Sequence, residues 1–236
     1  MDKFFKLINH RSFNFFSDFM EDMVESFHFR KEADGRPVLV IPGFLADDRS
    51  TFVLRSALAS SGFTPYTWNH GTNLIASDGL LESVFNNLKK IYSNHGDTPV
   101  TIIGWSMGGF YARALAKFAP DMVNSVITLG TPFKQEIDIV EMREKYAKIG
   151  INIDDHQISQ VYLDYMKDTP SVPFTSLYSK ADMIAPYEDS LETETDISEN
   201  VEIMTGHFGF VCDPEALSVI IDRCAQLKPT WTKYQS

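Results

Sequence analysis

The chain has 236 residues, of which 44% are hydrophobic and 22% charged, and its formal net charge at pH 7 is −11. This length suits a single domain, 1–236, with a substantial core. The acidic excess argues against nucleic acid and anionic membrane surfaces as main partners, because both would repel the protein. The sequence contains no phosphate loop, dinucleotide motif or Cys/His cluster, so we expect neither a cofactor nor a metal. Cys212 and Cys224 are the only cysteines, too few for a disulfide framework.

The first 35 residues predict a helical segment, 1–35, that stands apart from the rest of the chain. Its apolar residues recur with helical spacing, whereas its opposite face is acidic, so we expect it to pack on the protein's own core rather than on lipid. No apolar stretch approaches the roughly 20 residues needed to cross a bilayer. We therefore expect a cytoplasmic protein without stable membrane insertion. The apolar stripe consists of Phe16, Phe19, Met20, Met23, Val24 and Phe27.

From residue 37 onward, apolar runs of β-forming residues alternate with segments of helical periodicity. Alternation at this spacing is typical of βαβ units and predicts an α/β fold, a doubly wound and mainly parallel sheet flanked by helices. Such sheets bind ligands at the carboxyl ends of their strands. The predicted strands are 38–41, 66–68, 100–103, 123–129, 175–178 and 201–204, and the predicted helices are 51–60, 80 to about 94, 108–118 and 214–227.

One motif carries chemistry: Gly104-Trp105-Ser106-Met107-Gly108 matches G-x-S-x-G, with a buried strand before it and a helix after it. A turn this sharp strains the serine backbone and crowds the positions two residues away, so both must be very small. The turn lifts the serine hydroxyl clear of the sheet. The motif in this context predicts Ser106 as a nucleophile.

The serine motif, here called the elbow, extends to Ile103-Gly104-Trp105-Ser106-Met107-Gly108-Gly109 and is followed by Val126-Ile127-Thr128-Leu129-Gly130-Thr131-Pro132. These two runs resemble the bacterial lipase-like branch of the α/β-hydrolase superfamily. The resemblance covers less than half of the chain, namely 37–45, 99–132, 174–183 and 201–215. It implies the α/β-hydrolase fold and a Ser–His–acid triad. It does not by itself imply a lipid substrate.

The same resemblance points to an oxyanion hole made of backbone N–H groups. In that family the loop after the first core strand reads His-Gly-x, and the residue after the glycine donates its N–H. Here the loop reads Pro42-Gly43-Phe44, so the donors by position are the N–H groups of Phe44 and Met107. Because backbone groups donate, proline in place of histidine removes no donor.

The superfamily order places the acid and then the histidine after the nucleophile. Only His156 and His207 follow Ser106, and His207 lies in Gly206-His207-Phe208-Gly209, directly after a predicted strand. A histidine there can take the serine proton and later return it to the leaving group. We expect His207 to be the base, whereas His156 lies beside two aspartates in an irregular segment.

The acid is less sharply defined, because acidic residues are plentiful. Asp182 follows a predicted strand in Asp-Met-Ile-Ala-Pro, one residue longer than the Asp-x-x-Val-Pro pattern common in the family. Glu136 and Asp138 are alternatives, since some lipase relatives take the acid from the preceding strand end, and Asp189 is a third. We expect Asp182 to orient His207, although aspartate also suits an ordinary turn.

Residues 134–174 form a long insertion between two predicted strands, and such insertions are often lids or binding loops. We expect two short helices that roof Ser106 as a lid and form an acyl pocket, with Phe44 and Trp105 as further apolar wall. The alternative is a helical pair that fills the sheet edge. The helices are indicated by Ile137, Ile139, Val140 and Met142, and by Ile158, Val161, Tyr162, Tyr165 and Met166.

These features together predict a serine hydrolase that cleaves a small-molecule carboxylic ester through an acyl-enzyme. A thioesterase or an acyltransferase would use the same residues, differing in leaving group or acceptor. A binding protein without catalytic activity is a further alternative, because a fold alone never establishes an activity.

Overall fold

The computed structural model describes residues 34–74, 77–135, 147–148, 150 and 159–235. The predicted N-terminal apolar stripe and the predicted helix at 137–142 lie outside these residues. No helix within the described ranges is both long and apolar enough to cross a bilayer.

A six-stranded sheet in the order β2-β1-β3-β4-β5-β6 forms the centre of the molecule, and every neighbouring pair is parallel. Apolar β-forming runs such as Val-Leu-Val-Ile suit strands that are covered on both faces. All carboxyl ends meet at one edge, here called the C-terminal edge; the opposite one is the N-terminal edge. The strands are β1 (Pro37–Ile41), β2 (Thr64–Thr67), β3 (Val100–Trp105), β4 (Val123–Leu129), β5 (Phe174–Tyr178) and β6 (Ser198–Glu202).

Helices cover both faces of this sheet and bury two apolar clusters against it. Alternation along β1 sends Val38 and Val40 into the cluster beneath α1 and α5, and Leu39 and Ile41 into the cluster beneath α2, α3 and α4. The predicted doubly wound α/β fold is therefore confirmed. The helices are α1 (Phe52–Ser60), α2 (Asp78–Asn94), α3 (Met107–Phe118), α4 (Gln160–Lys167) and α5 (Pro214–Ala225).

Several predicted boundaries were wrong; the third strand, for example, ends at Trp105 rather than at residue 103. The second strand spans Thr64–Thr67 rather than 66–68, and the sixth spans Ser198–Glu202 rather than 201–204. Both begin with polar residues, which apolar patterning misses. The last helix ends at Ala225, two residues earlier than predicted, because the backbone of Gln226 is already extended.

The described end of the 134–174 insertion contains α4, which packs against α3. The buried Arg113 of α3 donates from Nε to Met166 O and from Nη2 to Lys167 O and Asp168 O, satisfying carbonyls at the end of α4. Its Nη1 lies 2.8 Å from Glu192 Oε2, a buried ion pair. About half of residues 134–174 lie outside the described ranges, so the lid stays a prediction.

Candidate active site

Ser106 lies between the last residue of β3 and the first residue of α3. Its backbone has φ 51° and ψ −121°, a conformation that residues with a side chain rarely adopt. Two contacts hold it there: Ser106 N donates to Leu129 O at 2.8 Å, and Thr131 Oγ1 donates to Ser106 O at 2.8 Å. The chain thus makes the sharp, strained turn from strand to helix that the motif predicts.

The glycines around Ser106 are required by backbone contacts. A Cβ on Gly104 would lie 2.4 Å from Gly108 O, and a Cβ on Gly108 would lie 2.3 Å from Ile41 O. Ordinary Cβ atoms never approach other atoms so closely, so neither position accepts a larger residue. Gly109 is constrained by a side chain instead, because its Cβ would overlap the side chain of Thr131.

His207 and Asp182 form a buried pair at the C-terminal edge. His207 Nδ1 lies 2.7 Å from Asp182 Oδ2, and the two side chains are 5% and 1% exposed. The other carboxylate oxygen, Oδ1, accepts hydrogen bonds from Ile184 N at 2.8 Å and Ala185 N at 3.0 Å. The backbone of the turn after β5 therefore holds the carboxylate in the orientation in which Oδ2 contacts the imidazole.

Two further residues shape this pair. Gly130 has φ 53°, and a Cβ there would lie 2.7 Å from the Phe210 ring and 3.0 Å from Asp182 Oδ2. Trp105 Nε1 donates to the backbone carbonyl of His207 at 3.0 Å, joining the end of β3 to the loop that carries the histidine. Trp105 was expected to line an acyl pocket, but only 4% of it is exposed and it packs in the core.

The loop Pro42-Gly43-Phe44 lies against the elbow. A Cβ on Gly43 would lie 3.1 Å from Ser106 Cβ and 3.3 Å from the Trp105 ring. Met107 is the first residue of α3, so its N–H has no partner within the helix. The positive end of the helix dipole, which favours an anion, lies at the same place.

The predicted site residues Phe44, Ser106, Met107, Asp182 and His207 all lie just after the carboxyl ends of β1, β3, β5 and β6. Among the described residues, Asp182 is the carboxylate that contacts His207.

The alternatives to these residues fall into two groups. Asp189 lies in a short helical turn after β5, where its carbonyl accepts a hydrogen bond from Lys134 N. Glu136, Asp138 and His156 lie outside the described residues. The sequence reasoning missed Thr131 and the indole contact of Trp105. The Thr-Leu-Gly-Thr-Pro run was a signal for the first, whereas nothing in the sequence indicated the second.

The six-stranded parallel sheet and the strained serine turn between β3 and α3 are those of the α/β-hydrolase fold. The chain belongs to the family of PGAP1-like alpha/beta domains, whose model matches residues 64–203. Among solved structures, a monoacylglycerol lipase of Paleococcus ferrophilus superposes with a TM-score of 0.59 over 84% of this chain and 96% of its own, at 16% identity. At that identity the likeness shows the fold.

Curated relatives match a shorter part of the chain. A triacylglycerol lipase of Pseudarthrobacter phenanthrenivorans is 32% identical over an alignment of 108 residues, which covers 42% of this chain and 33% of the lipase. An ethanol acetyltransferase of Cyberlindnera fabianii is 24% identical over 136 residues, which are 56% of this chain and 40% of the transferase. The chain thus spans about a third to two fifths of the length of these relatives.

Proposed function

We propose that this chain hydrolyses carboxylic esters through an acyl-enzyme on Ser106, with His207 as base and Asp182 as the acid that orients it. The observation that carries the proposal is the buried His207–Asp182 contact of 2.7 Å, at the same sheet edge as a serine with positive φ. Backbone strain of this kind is concentrated at functional sites. A scaffold that served packing alone would need neither feature.

The first half of the reaction forms the acyl-enzyme. Ser106 Oγ attacks the ester carbonyl carbon while its proton passes to Nε2 of His207. The Asp182 carboxylate stabilises the resulting imidazolium through Nδ1. The carbonyl oxygen becomes an oxyanion, which the backbone N–H groups of Phe44 and Met107 bind. When the carbon–oxygen bond to the alcohol breaks, the alkoxide takes the proton from His207 and leaves.

The second half regenerates the enzyme. Water attacks the acyl carbon and gives a proton to His207, and the same two N–H groups bind the second oxyanion. Ser106 then leaves as the alkoxide and recovers its proton from His207, releasing the carboxylic acid. Each step uses the same three side chains.

Apolar side chains around the site support a substrate with an apolar acyl or alkyl group. The loops after β1, β2, β5 and β6 all begin at the C-terminal edge, and each exposes large apolar residues. We call this set the apolar rim: Leu45, Leu74, Met183, Ile184, Met204 and Phe208. Contact with such residues contributes about 0.8 kcal/mol per buried CH₂ of substrate.

A fluorophosphonate probe together with p-nitrophenyl esters tests the proposal. Wild-type protein should label once, at Ser106, and turn over the esters. Ser106→Ala should abolish labelling and lower kcat/KM by several orders of magnitude. Ser93→Ala, an exposed serine of α2, is the matched control and should behave as wild type. A wild-type chain that neither labels nor turns over any ester would instead be a binding protein.

A chain-length series tests the apolar rim. Phe208→Ser should reduce kcat/KM for octanoyl and longer esters more than for acetyl esters, flattening the rise with chain length. Phe118→Ser is the matched control, because Phe118 is also half exposed but lies at the far end of α3. Equal loss for short and long esters would contradict a role of the rim in acyl binding.

Acyl transfer is a second candidate, favoured by the match to an ethanol acetyltransferase. The acyl-enzyme would form in the same way, and an alcohol instead of water would attack it. Incubation of an acetyl ester or acetyl thioester with ethanol, followed by product analysis, separates the two reactions. Ethyl acetate as the main product at millimolar ethanol would identify a transferase, whereas acetate would identify a hydrolase.

A further inference from the structure

A buried asparagine after β2 contacts the loop that carries one proposed oxyanion donor. Asn73 is fully buried, and it makes hydrogen bonds to three residues of the segment 42–46. Its N donates to Ala46 O at 2.8 Å, its O accepts from Leu45 N at 2.7 Å, and its Nδ2 donates to Pro42 O at 2.8 Å. Phe44 lies between these anchor points.

The other side of segment 42–46 is pressed against the serine turn. A Cβ on Gly108 would lie 2.8 Å from Pro42 O, and one on Gly43 would lie 3.1 Å from Ser106 Cβ. The Pro42 carbonyl is therefore held between α3 and the Asn73 carboxamide. Leu45 has φ 58°, which is unfavourable for leucine, and the hydrogen bond to Asn73 O holds it in that conformation.

The loop that presents Asn73 is itself fixed. Asp48 accepts hydrogen bonds from Trp68 N at 3.1 Å and Asn69 N at 3.2 Å, and Trp68 Nε1 donates to Gly71 O at 2.9 Å. Asp48 lies two residues beyond segment 42–46. The loops after β1 and β2 are thus linked at two points.

Stability alone does not explain a carboxamide at this position. Asn73 Oδ1 is buried, and it has no hydrogen-bond partner among the residues that the structure describes. An unpaired buried carbonyl oxygen destabilises a fold. What the side chain provides is the Nδ2 contact with Pro42 O.

We propose that Asn73 is a positioning residue for the oxyanion hole, which fixes the backbone of Pro42 to Leu45 so that Phe44 presents its N–H to the ester oxygen. This inference rests on the proposed function for its effect on turnover. An interaction realised in the transition state lowers kcat when it is lost, with little change in KM. A misplacement of about 1 Å can cost about 100-fold in rate.

Asn73→Ala tests the inference against Asn124→Ala. Asn124 is also buried and bonds backbone atoms, but it lies at the N-terminal edge. Three readouts are compared: ester kinetics, affinity for butylboronic acid as a mimic of the tetrahedral intermediate, and hydrogen exchange in a peptide spanning 43–46. For Asn73→Ala we expect kcat to fall about 10- to 100-fold, KM to stay within about threefold, boronic acid Kd to rise about as much as kcat falls, and exchange at 43–46 to accelerate. Asn124→Ala should lower the Tm and leave all three unchanged.

Two outcomes would overturn the inference. Unchanged exchange at 43–46 in Asn73→Ala would show that Asn73 does not fix the loop. Faster exchange with unchanged kcat and boronic acid affinity would show that the loop does not set the oxyanion hole. If the wild-type chain fails to label at Ser106 and turns over no ester, the proposed function fails instead, and the exchange result still decides whether Asn73 orders the loop.

Discussion

The two edges of the sheet differ in whether their buried polar groups have hydrogen-bond partners and in how much backbone strain they contain. At the N-terminal edge, the buried Arg223 pairs with Glu199 at 3.1 Å, and the same carboxylate accepts hydrogen bonds from Thr175 Oγ1 and Tyr234 N. Asn124 uses both ends of its carboxamide, accepting from Lys228 N and donating to Gln226 O. This edge is closed by satisfied polar contacts.

The C-terminal edge has the opposite character. Leu45, Asn69 and Ser106 have positive φ there, whereas Asp97 is the one described residue other than glycine with positive φ at the N-terminal edge, and Asn73 buries an oxygen without a partner among the described residues. The apolar rim is exposed at this edge as well. Strain and unsatisfied groups cost stability and persist where the surrounding structure enforces them. Substitutions at the two edges should therefore have different effects: those at the C-terminal edge should lower activity, and those at the N-terminal edge should lower stability.

Asp182→Asn should have the strongest effect, which is a loss of turnover. The amide can still contact His207, but it removes the charge that stabilises the imidazolium and favours the wrong tautomer. We expect kcat to fall about 10⁴-fold and the Tm to change little, since an amide oxygen can keep the bonds from Ile184 N and Ala185 N. Steady-state kinetics with p-nitrophenyl butyrate and thermal melts measure both.

Asp189→Asn is the control for this prediction, because Asp189 is the rival acid within the described residues. The kcat of this variant should stay within about twofold of that of wild type, because substitutions away from such contacts usually have small effects. A larger kinetic loss in Asp189→Asn than in Asp182→Asn would overturn the assignment of the acid.

The next effect is on stability, from Arg223→Met at the N-terminal edge. Removing one partner of a buried ion pair leaves Glu199 without its counter-charge and should cost about 3–5 kcal/mol in the free energy of unfolding. Urea titration measures this loss. Below the unfolding transition, kcat should equal that of wild type. A loss of kcat in fully folded Arg223→Met protein would show that activity also depends on the N-terminal edge.

The sequence predicted the parts of this molecule that depend on local pattern. Buried runs such as Val-Leu-Val-Ile must form covered strands, and a serine between close-packed glycines must lie on a sharp turn, so the fold and the position of Ser106 follow from the residues. The pattern failed at β2 and β6, where Thr64 and Ser198 open the strands. These polar residues belong to the sheet because they pair with the neighbouring strand, and not because they are apolar and buried.

Contacts between distant residues could not be predicted. Asn73 reaches Pro42 across 31 residues, and Trp105 reaches the carbonyl of His207 across 102 residues. A single asparagine in a loop carries no periodic signal, and the motif defines Trp105 only as a variable position. The family pattern favoured Asp182 over Asp189. The structure supports that choice with the contact between Asp182 and His207, which the sequence alone does not reveal.

A smaller effect is expected from relieving strain at Leu45. Glycine adopts positive φ without the penalty of about 1–2 kcal/mol that a side chain incurs, but it costs about 0.5–1 kcal/mol in chain entropy. Leu45→Gly should therefore change the free energy of unfolding by about 0 to 1.5 kcal/mol in the stabilising direction. Leu74→Gly, at the neighbouring exposed leucine without positive φ, should lose stability by the full entropic amount. Equal losses in the two variants would show that Leu45 is not strained.

The rate of thiol labelling should also differ between the two edges, and it can be compared because each edge carries one cysteine. Burial raises the pKa of both thiols, with a further contribution from Asp213 at Cys212. Cys212, partly exposed after the His207 loop, should react slowly with an aromatic disulfide reagent at pH 8, and faster as the pH rises and thiolate forms. Cys224, fully buried on α5, should react only as fast as the whole chain unfolds. Labelling at increasing urea measures both rates, and Cys212→Ala and Cys224→Ala assign them. Labelling of Cys224 ahead of global unfolding would show that the N-terminal edge opens locally, and the stability contrast between the edges would then be wrong.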